Sequence, residues 1–402
     1  MDLRREDDSS TARQVFRDWC DARFQGNLPL ALSARIPLEV FEFLIDEMDP
    51  PTLAAAALVC APWYPRAMHN LYHGVDIRRG ARFNMLFKQY HTSPRVKQRL
   101  ANTCKLIVDE DALRFIRTDL VLALSRFKSV NSLTLDQCRL NKITQLRRIV
   151  SAFPQLTDFT MHSIQFAEQG AASYTGASLF QPSSHARLRY LDVSVYEERM
   201  PMFINWMTCS SLCTSLTDLT VRFDDPSMVQ TPLQKLLETV GASLTYYRED
   251  YDINGRGHVN LSQNTALRFL DFGSHRVKHE GEDQGQGAWT KTTDELHGIF
   301  STIRSHPLEH IEFRVHVSFD NSILEPEQPG VVLEKLDRRD LHRVMGQPYF
   351  DALKIVEVKM YLVPQTYWAS TPRACDIVDQ KLVTMFGGIL QPWSARGIVN
   401  VT

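Results

Sequence analysis

One short pattern constrains the fold of this chain more than any other feature: an apolar residue, two of any kind, an apolar residue, one of any kind, an apolar residue. It reads Thr103-x2-Leu106-x-Val108, with a weak first position, then Val130-x2-Leu133-x-Leu135, Leu156-x2-Phe159-x-Met161, Leu188-x2-Leu191-x-Val193 and Leu216-x2-Leu219-x-Val221. It continues as Leu267-x2-Leu270-x-Phe272, Leu308-x2-Ile311-x-Phe313 and Leu353-x2-Val356-x-Val358, with a degraded copy at Leu244 and Tyr247. Within each copy the alternation has the period of two that marks a strand. Between copies, apolar residues are spaced for one face of a helix: Ile143, Leu146, Ile149, Val150 and Phe153 in 142–153; Leu233, Leu236, Leu237 and Val240 in 232–240; Leu296, Ile299, Phe300 and Ile303 in 294–303. One match would mean nothing, because leucine is common. Eight or nine in order, most followed by an amphipathic helix, mean a repeat.

Strand then helix, at intervals of about 25–30 residues, is the pattern of leucine-rich repeats. No unit can bury its apolar face alone, so 103–402 is expected to stack into an irregular leucine-rich-repeat-like αβ solenoid. The irregularity is visible in the sequence. The Asn or Cys expected three residues after the last apolar position stands only at Cys138, while Ile164, Tyr196 or His275 fills that place elsewhere. Insertions at 168–185 and 279–287, rich in small and polar residues, read as exposed loops on one rim.

Composition narrows the function classes. The 402 residues are 44% apolar and 23% charged, an ordinary globular mixture that excludes wholesale disorder and collagen-like repeats. Lys and Arg number 45 against 47 Asp and Glu, so no global field recruits nucleic acid or a membrane. The N-terminus is polar and acidic, unlike a secretory signal, and the apolar run at 53–62 is too short to cross a bilayer, which takes about 20 residues. Seven cysteines are scattered at 20, 60, 104, 138, 209, 213 and 375, mostly in apolar segments. They suggest a reduced, intracellular chain, cytoplasmic or nuclear, with buried thiols. There is no Cys-x-x-Cys, and Cys209-x3-Cys213 has no His pair nearby, so neither metal nor cofactor is expected.

The segment 36–73 is compact, apolar and helical in pattern. Pro37 starts a helix. Val40, Phe41, Leu44, Ile45 and Met48 recur at helical spacing, and Asp49-Pro50-Pro51 stops it. A second helix is expected from an N-cap at Thr52 to Cys60, and a third over 66–72. So small a piece sits at the limit of what folds on its own core. The first helix carries apolar residues on more than one face, so some must meet a neighbour, either the repeats or another protein.

The order Ile36, Pro37, Glu39, a turn at 49–51, Leu53, Leu58, Val59, Cys60 and Trp63 resembles an F-box. The match covers about a tenth of the chain and departs from the pattern at Pro62, which is expected to end the second helix early and shift Trp63. With the repeats behind it, the chain is similar to F-box proteins of mushroom-type (basidiomycete) fungi that carry divergent leucine-rich repeats. The resemblance implies a substrate-recognition adaptor of a Skp1–cullin–F-box ubiquitin ligase. Its partners would be a Skp1-like protein, through it a cullin, and an unknown protein substrate. Carried onto this sequence, the Skp1-facing set is Ile36, Pro37, Leu38, Val40, Leu44, Leu53, Leu58, Val59, Cys60 and Trp63, with Trp63, Leu58 and Pro37 as central anchors. The expected class is α+β with repeats: an extension at 1–33, in which 11–24 could form a helix bearing Val15, Phe16 and Trp19; a three-helix F-box at 34–77; a basic linker at 78–102; and the repeat domain at 103–402. The competing expectation is a non-catalytic scaffold whose F-box-like helices cap the solenoid.

Other features carry less. Arg78, Arg79, Arg82, Lys88, Arg95, Lys97, Arg99 and Lys105 stand together with no acid between them, and Phe83, Phe87 and Tyr90 add rings. That combination could stack on nucleic acid. A solvated linker helix packed on the first repeat, or one facing an acidic partner, explains it without a nucleic-acid motif. His69-x3-His73 shares a helix face as zinc ligands can, but no third ligand is evident. Asp224-Asp225 and Glu249-Asp250-x-Asp252 read as solvated turn charges, or as sites for basic substrate segments. Gly255-x-Gly257 is a lone turn signal, and no P-loop, G-x-S-x-G or G-x-G-x-x-G is present, so no enzyme is expected.

Overall fold

The computed structural model describes residues 36–77, 80–109, 127–140, 142–166, 187–195, 198–223, 229–251, 259–278, 285–319, 329–364 and 372–402. The expected helix at 11–24, the insertion at 168–185 and most of the one at 279–287, Asp224-Asp225, Asp252 and the Gly255-x-Gly257 turn lie outside them. The chain forms two compact units that divide between His73 and Gly74.

Among its described residues the first unit holds three helices: α1 Leu38–Asp46, α2 Pro50–Ala56 and α3 Trp63–His73. Pro37 caps α1 in an extended conformation. The N-cap of α2 is Asp49 rather than Thr52: its carboxylate accepts the Thr52 amide at 3.0 Å, and Pro50 and Pro51 fill first-turn positions whose amides need no partner. Helix α2 ends at Ala56, well before Pro62, so that proline does not terminate it.

The second unit is mixed α/β. Among its described residues twelve strands run: β1 Gly74–Ile77, β2 Lys105–Asp109, β3 Ser132–Asp136, β4 Arg139–Leu140, β5 Asp158–Phe166, β6 Tyr190–Val195, β7 Asp218–Phe223, β8 Tyr246–Tyr251, β9 Phe269–Lys278, β10 His310–Phe319, β11 Ile355–Pro364 and β12 Val399–Val401. They form one parallel sheet in chain order, with β4 alone off the path, beside β5. Between the strands run α4 Gly80–Thr92, α5 Pro94–Ala101, α6 Ile143–Ser151, α7 Met200–Cys209, α8 Gln230–Val240, α9 Gly285–Phe300, α10 Pro329–Lys335, α11 Arg339–Met345, α12 Pro372–Ile389 and α13 Gln391–Ser394. The stretch expected as a basic linker thus forms α4 and α5, and α9 begins nine residues before the sequence pattern did.

Register explains why each repeat copy becomes a strand. One apolar row runs Leu106, Leu133, Phe159, Leu191, Leu219, Tyr247, Leu270, Ile311, Val356 across neighbouring strands, and a second runs Val108, Leu135, Met161, Val193, Val221. All of these residues are buried. Helices supply matching apolar stripes, such as Ile143, Leu146, Ile149 and Val150 on α6, and Phe300 meets Phe272, Phe350 and Trp393.

The second apolar row is broken at Glu249, which is paired with Val221 and is itself buried. It lies within β8, not in a turn. The Tyr247 hydroxyl donates to its carboxyl at 3.0 Å, and burial pushes the carboxyl up to about 7. Folded chains therefore hold this proton more tightly than unfolded ones, whose glutamate titrates near 4.5. Stability should fall by roughly 3 kcal/mol as pH rises through that interval and level off above it. Glu249→Gln keeps an acceptor for Tyr247 and should remove this slope. Urea melts should show the variant more stable than the parent at pH 8 and close to it near pH 4.

Candidate functional site

The helical unit has a small interior. Ile45, Leu53, Ala56, Ala57 and Ala67 form its buried core, with Met48, Trp63, Met68 and Leu71 packed against it. Alanines let α2 and α3 approach closely but bury little area. A polar clasp adds to this: Arg66 grips Asp46 in a fork, at 2.6 and 2.5 Å, and Asn70 donates to the same carboxylate at 2.7 Å. Asp46 ends α1, where a carboxylate opposes the helix dipole. The Arg66 hydrogen bond, then that of Asn70, holds its carboxyl down at about 2.

Helix α1 divides its apolar residues between two faces. Phe41, Ile45 and Met48 turn inward, and the Phe41 and Trp63 rings meet at 5.3 Å. Val40, Phe43 and Leu44, at three- and four-residue spacing, form a second stripe that is exposed, as is Leu38. The turn after α2 adds Leu58, 86% exposed, and Val59, and α3 adds Tyr64.

Of the residues the sequence analysis assigned to partner binding, Pro37, Leu38, Val40, Leu44, Leu58, Val59 and Cys60 are exposed and Ile36 is half-buried. Two are placed differently. Leu53 is 4% exposed and belongs to the unit's own core, and Trp63 is half-buried against that core, so neither offers its whole side chain outward. Phe43 and Tyr64 were missed. Phe43 had a signal, since it stands three residues after Val40 on the same helix.

The second unit presents a different surface. On the sheet face opposite the apolar rows, one register row reads Lys105, Ser132, Asp158, Tyr190, Asp218, Tyr246, Phe269, His310, Ile355. The next reads Asp76, Ile107, Thr134, Thr160, Asp192, Thr220, Arg248, Asp271, Glu312, Glu357. A third contains Asp109, Asp136, His162, Arg222, Asp250, Arg314 and Lys359. An ion network crosses six strands. Arg222 bonds Asp192 at 2.9 Å and approaches His162 at 2.6 Å; Arg248 reaches Asp271 at 3.2 Å; and Arg314 bridges Asp250 at 2.8 Å and Asp271 at 2.9 Å. Arg222 can only donate, so it bonds His162 in the tautomer with a bare Nε2. Burial raises the Asp271 carboxyl to about 6 in spite of both arginines. Tyr246, Phe269 and His310 stack with centroids 4.7 and 4.4 Å apart.

His310, Glu312 and Glu357 bring three ligand atoms within 4.8 Å of one another. The Lys359 ammonium already lies 2.8 Å from Glu312 and 3.7 Å from Glu357 and offsets part of their charge. His69 and His73 are both exposed, with ring centroids 5.8 Å apart. Cys60, Cys104, Cys138, Cys209 and Cys213 are free thiols, but only Cys138 and Cys213 are buried, fewer than expected. Burial pushes the Cys213 thiol up to about 11. On α4 and α5, Lys97 lies 5.9 Å from the Tyr90 ring centroid. Among the described residues no helix is long and apolar enough to cross a membrane.

No protein-family model and no curated protein matches the chain. The division of the helical unit into core and exposed face can be tested directly. Ile45→Ala should destabilise it by about 2–5 kcal/mol, and Leu58→Ala should change its stability by less than about 0.5 kcal/mol. Hydrogen exchange of the α1–α3 amides under native conditions distinguishes the two.

Proposed function

We propose that the chain is a non-catalytic adaptor of a ubiquitin ligase. The helical unit, read as an F-box, docks a Skp1-like protein, and the sheet-bearing unit, read as an irregular leucine-rich-repeat solenoid, holds a protein target. The observation that carries this reading is the exposed apolar set on α1 and the turn after α2: Leu38, Val40, Phe43, Leu44, Leu58 and Val59. Among its described residues the unit fully buries only one isoleucine, one leucine and three alanines, while these larger apolar side chains stay exposed. Large apolar patches on small units mark partner surfaces, and a standard interface hides about 800 Å² on each side.

The solenoid reading draws on strand order. Apart from β4, each described strand pairs with its neighbours in sequence, all pairings are parallel, and equivalent positions of successive copies share a register row. An adaptor built this way performs no chemistry. It raises the effective concentration of a target near the ligase.

Capture on immobilised recombinant Skp1 tests the assignment. The parent chain should be retained, and Leu44→Asp with Leu58→Asp should lose at least tenfold in affinity while its circular dichroism is unchanged. These positions are better probes than Trp63, whose ring packs against the unit's core. A folded parent chain that Skp1 does not retain would favour the scaffold reading instead.

A further inference from the structure

Among the described residues of the three register rows, carboxylates outnumber lysine and arginine side chains. Across the three register rows, ten carboxylates meet five lysine and arginine side chains. Four of those five cations are committed: Arg222 to Asp192, Arg248 to Asp271, Arg314 to Asp250 and Asp271, and Lys359 to Glu312 and Glu357. Asp158 and Asp218 have no such partner. Among the described residues, neither has a lysine, arginine or histidine within ion-pair distance.

These two acids are held in the same way. Each follows a threonine in a Leu-Thr-Asp-apolar-Thr run, Leu156 to Thr160 and Leu216 to Thr220. The Thr157 hydroxyl lies 3.0 Å from Asp158 Oδ2 and 3.2 Å from the Asn131 carbonyl. The Thr217 hydroxyl lies 2.5 Å from Asp218 Oδ2 and 3.0 Å from the Arg189 carbonyl. Each hydroxyl shares its proton between the backbone of the previous strand and the carboxylate, which fixes the carboxylate without neutralising it. Along the row the order is Asp158, Tyr190, Asp218, Tyr246, one residue per strand. Alternating carboxylates and aromatic rings suit a guanidinium or ammonium group, which gains from ion pairing and from the ring faces together.

We infer that this row binds an arginine- or lysine-bearing extended segment of the target protein, running across the strands with cations over Asp158 and Asp218. Strands about 4.8 Å apart put the two acids, two strands apart, at about 10 Å, close to the three-residue repeat of a segment in the extended polyproline-II conformation, which returns side chains to the same face every third residue at about 3.1 Å per residue. The inference rests on the reading of the sheet-bearing unit as the target holder. It is independent of which protein the helical unit docks.

Fluorescence anisotropy of labelled twelve-residue peptides with the full chain tests it. One peptide carries Arg at every third position among Ser and Gly; two others carry Glu or Gln at those positions. The Arg peptide should bind, the other two should not, and added salt should weaken the complex. Asp158→Asn with Asp218→Asn keeps both threonine hydrogen bonds and should lower affinity roughly threefold to tenfold, and Asp218→Asn alone should give part of that loss. Asp340→Asn, at an exposed ion pair on α11, should change nothing. Equal binding of the Glu peptide, no binding of the Arg peptide, or unchanged affinity in the double variant would overturn the inference. The double variant should still be captured by Skp1, and the Leu44/Leu58 double variant should still bind the Arg peptide. Failure of Skp1 to retain the parent chain, with its peptide binding intact, counts against the adaptor reading alone.

Discussion

Parallel pairing of each repeat copy's strand with that of the next copy is the constraint on which the second unit depends. It sets equivalent residues of successive copies side by side, so Leu191 lies between Phe159 and Leu219, and Val193 between Met161 and Val221. A short strand with two or three apolar residues cannot stand alone in water. Stacked in register, those few residues become continuous buried rows, and the helices close over them. The tolerance of the arrangement follows from this. Only the inward positions of each copy are constrained, so the length between copies can grow from 23 to 45 residues without disturbing the sheet.

The opposite face obeys another rule. Register also places like charges side by side: Asp271, Glu312 and Glu357 are consecutive in one row. Strand spacing of about 4.8 Å makes that arrangement repulsive on its own. Arg314 and Lys359, from the adjacent row, sit between these carboxylates and offset it. In the C-terminal half of the face each of these carboxylates therefore has a cation beside it. Toward the N-terminal half, Asp158 and Asp218 are met by hydroxyls rather than by cations. Each set of acids takes its role from what the neighbouring strands offer, not from its local sequence.

Every repeat copy read from the sequence became a strand, including the degraded one at Leu244 and Tyr247, because the alternation that defines the copy is the alternation that the sheet buries. The strands without a copy, Gly74–Ile77, Arg139–Leu140 and Val399–Val401, were not legible: they are short, and pairing with one neighbour completes what their own residues do not specify. Glu249 was misread for a related reason. An acid beside another acid looks like a solvated turn, and only the position of Tyr247 in the core row reveals that Glu249 shares its side of the strand. In the helical unit the two faces of α1 were legible from spacing, but which face turned inward was not. That choice depends on Ala56, Ala57 and Ala67, whose small side chains leave room for Ile45 and Met48 and none for a second layer.

The same alanines bear on what the helical unit can be. Leucines in their place would enlarge the core, draw α1 inward through more of its circumference, and leave less apolar surface outside. Small residues do the opposite: helices α2 and α3 close on each other, and α1 can rest only one edge, Phe41, Ile45 and Met48, against them. The Asp46–Arg66–Asn70 clasp then holds α1 at a single angle from its C-terminal end, where packing is thinnest. Such a unit keeps its outer stripe at fixed geometry although little behind the stripe is buried. That combination disfavours a unit whose only task is its own stability, since exchanging Leu58 or Phe43 for polar residues would cost the core nothing.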